Sequence, residues 1–146
     1  MRSATKMGLE ILSTLYGLGV KIRNRAYDQQ LLPTYDAGLP VYCVGNISVG
    51  GSGKTPFVQY LAQHLRETKR DSRPAILLRG YGGQKKGPCV VSMADRPSEV
   101  GDEAVLHRRK LPQDVTVVIA RDRVAGARLI AQQDLGTCII LDDGYQ

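Results

Sequence analysis

The feature that most restricts this chain lies between residues 41 and 65. A short apolar run, VYCV at 41–44, leads into SVGGSGKT at 48–55, then a proline, then apolar residues Val58, Leu61, Ala62 and Leu65 at helical spacing. Strand, glycine-rich loop and helix in that order form a unit that wraps phosphate groups, because glycines let successive backbone N–H groups turn toward an anion at a helix N-terminus. The pattern G-x-x-x-x-G-K-[ST] would put a glycine where Ser48 stands; Gly50, Gly51 and Gly53 keep the loop free to turn. Pro56 suits the first turn of the following helix, where a missing N–H costs nothing. In such a loop Ser48, Val49, Gly50, Gly51, Ser52 and Gly53 line the phosphates. Lys54 reaches the β- and γ-phosphates, and the Thr55 hydroxyl ligates Mg²⁺. A glycine-rich surface turn is the alternative.

Short apolar runs at 75–78, 89–92, 115–120 and 138–141 alternate with helical patterns, the last at 124–133. Several runs are apolar on both faces, as parallel strands covered by helices are. The expectation is an α/β fold: a P-loop NTPase-like parallel sheet wound with helices, binding ligands beyond the C-terminal strand ends. A chain of 146 residues suits one such core. Its net charge of +6 points to an anionic partner, and with 5% aromatic residues it lacks the stacking surface of a single-strand nucleic-acid binder. Nucleic acid is therefore not the expected partner. Neither N-K-x-D nor D-x-x-G occurs, which argues against a GTPase.

Other chemistry-bearing residues follow the strands. Asp142 and Asp143 end the last apolar run, where a nucleotide site keeps its metal-binding acids. Asp102 and Glu103 precede a short helical pattern, where acids also serve the helix dipole. Arg79 in RGYGG, and Arg121 and Arg123 in RDR, could hold substrate anions. His64 and His107 have no companions at metal-ligand spacing and are expected on helix surfaces. Cys43, Cys89 and Cys138 share no C-x-x-C spacing and read as buried thiols.

The segment 7–22 is too short and too polar to span a membrane, and no cleavage site follows it. Its apolar residues fill a wide helical arc, with Lys6, Glu10 and Lys21 opposite, and Arg23 and Arg25 just beyond. Either this helix packs on its own domain, or it lies on an anionic membrane surface.

Taken together, VGN at 44–46, VGGSGKTP at 49–56, RGYGG at 79–83, GDE at 101–103, RDR at 121–123 and LDDGYQ at 141–146 resemble the tetraacyldisaccharide 4'-kinases of lipid A biosynthesis, in order and over nearly the whole chain. That family also carries Ser or Thr where Ser48 stands. The resemblance implies ATP and Mg²⁺ as cofactors, and γ-phosphate transfer to the 4'-hydroxyl of an acylated glucosamine disaccharide 1-phosphate. It implies residues 1–30 as a membrane-docking helix, residues 38–146 as the P-loop kinase domain, and a peripheral location on the cytoplasmic face of the bacterial inner membrane. It assigns Asp102 as general base, with Lys54 and Asp143 as its catalytic companions. Thr55, Asp142 and Glu103 become metal contacts and Gln146 a nucleotide contact. Two departures stand out: Ala104 replaces the usual proline after GDE, and the family continues past Gln146 with a second lobe. The 146-residue chain is accordingly expected to hold part of a Mg-ATP site and to be inactive alone. A soluble P-loop small-molecule kinase or NTPase, or a non-catalytic nucleotide-binding module, are the competing readings.

Overall fold

The computed structural model describes residues 2–45 and 53–144; of α1 (Arg2–Asp28), side chains are described at 13, 14 and from 16 onward. Among the expected site residues, Ser48, Val49, Gly50, Gly51, Ser52 and Gln146 lie outside the described residues. Two compact units emerge, 1–35 and 36–146.

The first unit holds α1, one uninterrupted helix that runs past both ends of the segment 7–22. Tyr16, Leu18, Ile22 and Tyr27 are exposed on it, and the Arg23 guanidinium lies over the Tyr27 ring, 5.6 Å from its centre. No described helix is long and apolar enough to cross a membrane.

The second unit is built on a five-stranded sheet in the order β1-β5-β2-β4-β3. Its strands are β1 (Val41–Val44), β2 (Pro74–Leu78), β3 (Cys89–Val90), β4 (Thr116–Ile119) and β5 (Cys138–Asp142). Four run parallel, with Val41 opposite Ile139, Ala75 opposite Ile139, and Ala75 opposite Thr116. β3 differs from expectation: it is only Cys89–Val90 and pairs antiparallel to β4. No helix separates it from β2, and a parallel partner needs a crossover of a dozen or more residues, usually helical.

Side chains alternate along each strand, so the three inner strands β5, β2 and β4 feed two cores. Ile76, Leu78, Val117, Ile119 and Ile140 face α2 (Lys54–Thr68) and α4 (Asp102–Lys110), meeting Val58, Ala62, Leu65, Ala104 and Val105. Leu77, Val118 and Ile139 face the other way, onto Ala127 and Ile130 of α5 (Arg123–Gln132). A four-residue helix, α3 (Pro97–Val100), precedes α4 and was not foreseen from the pattern. β2 is buried along its whole length, as a central strand covered on both faces must be. Of the three cysteines only Cys138 is buried; Cys43 is exposed because β1 is an edge strand, and Cys89 is intermediate.

Candidate nucleotide site

The parallel order brings the C-terminal ends of β1 and β5 side by side, and both point toward the start of α2. Gly53 caps α2 with φ of 72°, a left-handed conformation that a side chain would strain, so the helix can begin at Lys54. From there the Lys54 ammonium reaches across to the end of β5, 2.5 Å from Oδ1 of Asp143. That hydrogen bond pushes the Lys54 ammonium above the ordinary lysine value; the charges of Asp142 and Glu103 add to it, against partial desolvation. Glu103, exposed in the first turn of α4, therefore shares the field of the lysine. Thr55 is half-buried one residue further along α2.

Asp142 and Asp143 diverge. Asp142 continues the strand on the face of Ile140 and is 3% exposed, with Oδ2 2.9 Å from Nε2 of His107. Asp143 takes φ of 56°, which turns its carboxylate out of the strand direction and onto Lys54. The chain then closes on the neighbouring strand as Gly144 N–H donates to the Val44 carbonyl at 3.0 Å.

His107 corrects the sequence-based expectation of a surface histidine: it is fully buried, whereas His64 is exposed. The signal was present in the spacing, since His107 stands three residues after Ala104 and four before Leu111, both buried. Arg108 beside it was also missed; its guanidinium donates to the carbonyls of Leu111, Pro112 and Val115. Asp102, at the first position of α4, is exposed and makes no side-chain hydrogen bond or ion pair among the described residues. Gly101 before it is tightly constrained: φ is 93°, and a Cβ would lie 2.3 Å from the Tyr81 carbonyl oxygen. The glycines of RGYGG and GDE thus let two loops touch backbone to backbone, which brings Asp102 and Glu103 beside the loop that follows β2.

That loop opens a pocket of about 270 Å³ lined by Arg79, Gly80, Tyr81, Gly82 and Arg121. Arg79 donates to the Tyr81 hydroxyl at 3.3 Å. In RDR the three residues do different work. Arg121 lines the pocket, and Asp122 caps α5 by accepting from the N–H groups of Val124 and Ala125. Arg123 donates to the backbone carbonyls of Ala120 and Asp142, at 3.3 and 3.2 Å. Burial, then the charge of Arg79, pulls the Arg123 guanidinium below its ordinary value.

Residues 5–146 match the family model described as tetraacyldisaccharide-1-P 4'-kinase. The chain belongs to the tetraacyldisaccharide 4'-kinase family. Among curated members, the tetraacyldisaccharide 4'-kinase of Bradyrhizobium diazoefficiens is 44% identical over 146 residues, covering 99% of this chain and 39% of the relative. That of Porphyromonas gingivalis W83 is 38% identical over 141 residues, covering 94% of this chain and 38% of its own length. The chain thus spans about two-fifths of the length of these kinases. A crystal structure of the Aquifex aeolicus family member LpxK in complex with ATP superposes with a TM-score of 0.81 at 40% identity, covering 95% of this chain and 44% of that one.

No group of three His, Cys, Asp or Glu side chains among the described residues is arranged to hold a metal by itself. For Mg²⁺ this is no obstacle, because the ion retains waters and binds one or two carboxylates together with phosphate oxygens. Thr55, Asp142, Asp143 and Glu103 offer only hard oxygen donors around Lys54, the chemistry that ion selects.

Proposed function

We propose that this chain forms the nucleotide-holding part of a kinase that moves the γ-phosphate of ATP to the 4'-hydroxyl of an acylated glucosamine disaccharide 1-phosphate in lipid A biosynthesis. The observation that carries the reading is the Lys54–Asp143 pair at 2.5 Å. It joins the lysine of the GKT motif to the acid that ends β5, at the sheet edge where nucleotide sites of this fold lie. Lys54 would exchange Asp143 for phosphate oxygens and neutralise charge developing on the transferred group. Thr55, Asp142 and Glu103 are the residues that would hold Mg²⁺, which when bound would supply the remaining neutralisation. Asp102, exposed and without a side-chain partner among the described residues, is the group we assign to accept the proton of the acceptor hydroxyl as its oxygen attacks phosphorus and the bond to ADP breaks. Arg79 and Arg121 offer cations to the anionic acceptor, and Arg123 secures the strand ends behind them.

The test has two parts. Titration of the 146-residue chain with a fluorescent ATP analogue should show Mg²⁺-dependent binding that Lys54→Ala weakens at least tenfold. The polypeptide at the full length its gene encodes should label the disaccharide in detergent micelles from γ-labelled ATP. There Lys54→Ala should lose about three orders of magnitude in rate, roughly 4 kcal/mol of barrier. Near-normal turnover by that variant sinks the reading; ATP consumption indifferent to the lipid favours a soluble NTPase.

We further propose that α1 lies on the cytoplasmic face of the bacterial inner membrane. Exposed Leu18 and Ile22, four residues apart on one face of the helix, with Lys21, Arg23 and Arg25 along the same stretch, support an apolar face entering lipid and cations meeting anionic headgroups. The protein should sediment with vesicles containing phosphatidylglycerol at low salt and be largely released at high salt. No sedimentation at low salt would mean α1 packs against protein.

A further inference from the structure

An imidazole is a costly choice for the position that His107 occupies. It is 0% exposed, and the residues around it on α4, Ala104 and Val105, belong to an apolar core. The other buried polar side chain of that helix, Arg108, is occupied by backbone carbonyls. A buried polar ring without partners costs free energy that an aliphatic side chain would avoid. The partners are specific. Nε2 lies 2.9 Å from Asp142 Oδ2, and Nδ1 faces the Gln59 amide nitrogen of α2 at 3.5 Å.

A carboxylate oxygen accepts, so the ring proton belongs on Nε2, from which it is donated to Asp142, and Nδ1 can then accept from the Gln59 amide. The Gln59 contact is long and biases the tautomer; the short Asp142 contact does the holding. Gln59, His107 and Asp142 form a relay from α2 through α4 to the end of β5. It leaves Oδ1 of Asp142 without a hydrogen bond among the described residues.

We propose that His107 is a positioning residue: it ties down Oδ2 so that Oδ1 of Asp142 is presented in one orientation to the Mg²⁺-nucleotide. This rests on the kinase reading given above. Groups that orient a metal-binding side chain from behind typically change metal affinity or activity by 10- to 100-fold when removed.

The experiment follows the Mg²⁺ dependence of fluorescent ATP-analogue binding in the wild-type chain and in His107→Leu, His107→Gln, Asp142→Asn, Lys54→Ala and the double variant H107L/D142N. Expected is a rise of about tenfold in half-saturating Mg²⁺ for His107→Leu. His107→Gln, whose amide can still donate to Oδ2, should recover most of it. H107L/D142N should be no worse than Asp142→Asn alone, since the histidine acts only through that carboxylate. Unchanged Mg²⁺ dependence in His107→Leu, or full additivity in the double variant, overturns the inference while leaving the kinase reading intact. Wild-type binding indifferent to both Mg²⁺ and Lys54→Ala overturns that reading, and this inference with it. Should His107→Leu fail to fold, ¹⁵N spectra of the wild-type imidazole decide: a proton on Nε2 supports the relay, and a proton on Nδ1 alone overturns it.

Discussion

Two neighbouring aspartates acquire different surroundings because β-strand side chains alternate and Asp143 leaves the strand. Asp142 inherits the face of Ile140, which packs against α2 and α4, so its carboxylate reaches His107. Asp143 turns through a left-handed backbone and meets Lys54. The same divergence separates the expected effects of substitution. Asp142→Asn should weaken Mg-ATP binding about tenfold or more, because it removes the charge and leaves one amide oxygen to serve both the metal and the buried imidazole. Asp102→Asn should leave Mg-ATP affinity nearly unchanged and lower turnover of the full-length polypeptide by about 10²–10⁴, the range for losing a general base. Calorimetric titration with Mg-ATP and steady-state kinetics on both variants check this; equal losses of Mg-ATP affinity would make Asp102 a metal ligand. Lys54, Asp142 and Asp143 were legible in the sequence because a loop and a strand end advertise themselves by composition. The spacing could have shown that His107 is buried but not what it meets, since a lone histidine carries no spacing rule that names an aspartate 35 positions away as its partner.

At the scale of elements, the parallel strands and long helices could be read from period alone, because each buries a face and only one period satisfies each backbone. The connection from β2 to α4 could not. It contains the two-residue β3 and the four-residue α3, both shorter than any periodic signal, and it is held by specific polar contacts. Asp95 is central there: it accepts from Lys85 Nζ at 2.6 Å and from the Ser92 N–H at 2.7 Å. The Lys85 contact, then the Ser92 N–H, holds the Asp95 carboxyl below the usual carboxylate value. A carboxyl whose value is lower in the folded state stabilises fully above its unfolded value of about 3.9, and the contribution fades as pH falls through the folded value. Asp95→Asn should therefore cost about 1 kcal/mol near neutral pH, allowing for the exposure of Lys85. It should cost less and less as the pH is lowered below about 4. Urea unfolding of both proteins at pH 7, 4 and 2.5 reads the difference; a gap that stays constant across that range would mean the carboxylate charge is irrelevant.

For the molecule as a whole, the strand order carries a consequence in time. β1, which delivers the GKT loop, is an edge strand whose partner in the sheet is β5, with Val41 opposite Ile139. β2 and β4 pair with each other without it. During translation the ribosome therefore releases β1 and Lys54 long before the strand that pairs with them exists. Ribosome-stalled chains whose β5 is still in the exit tunnel should be cleaved readily at β1 and should retain no ATP analogue. Stalled chains in which a flexible linker of a few tens of residues carries β5 clear of the tunnel should resist cleavage there, since contacts distant in sequence form only once the intervening loop can close. Protection of β1 before β5 emerges would show that this strand is held locally. The lysine of the loop and the aspartates that face it are thus joined in one late step, and a nascent chain cannot grip a nucleotide until β5 has folded against β1.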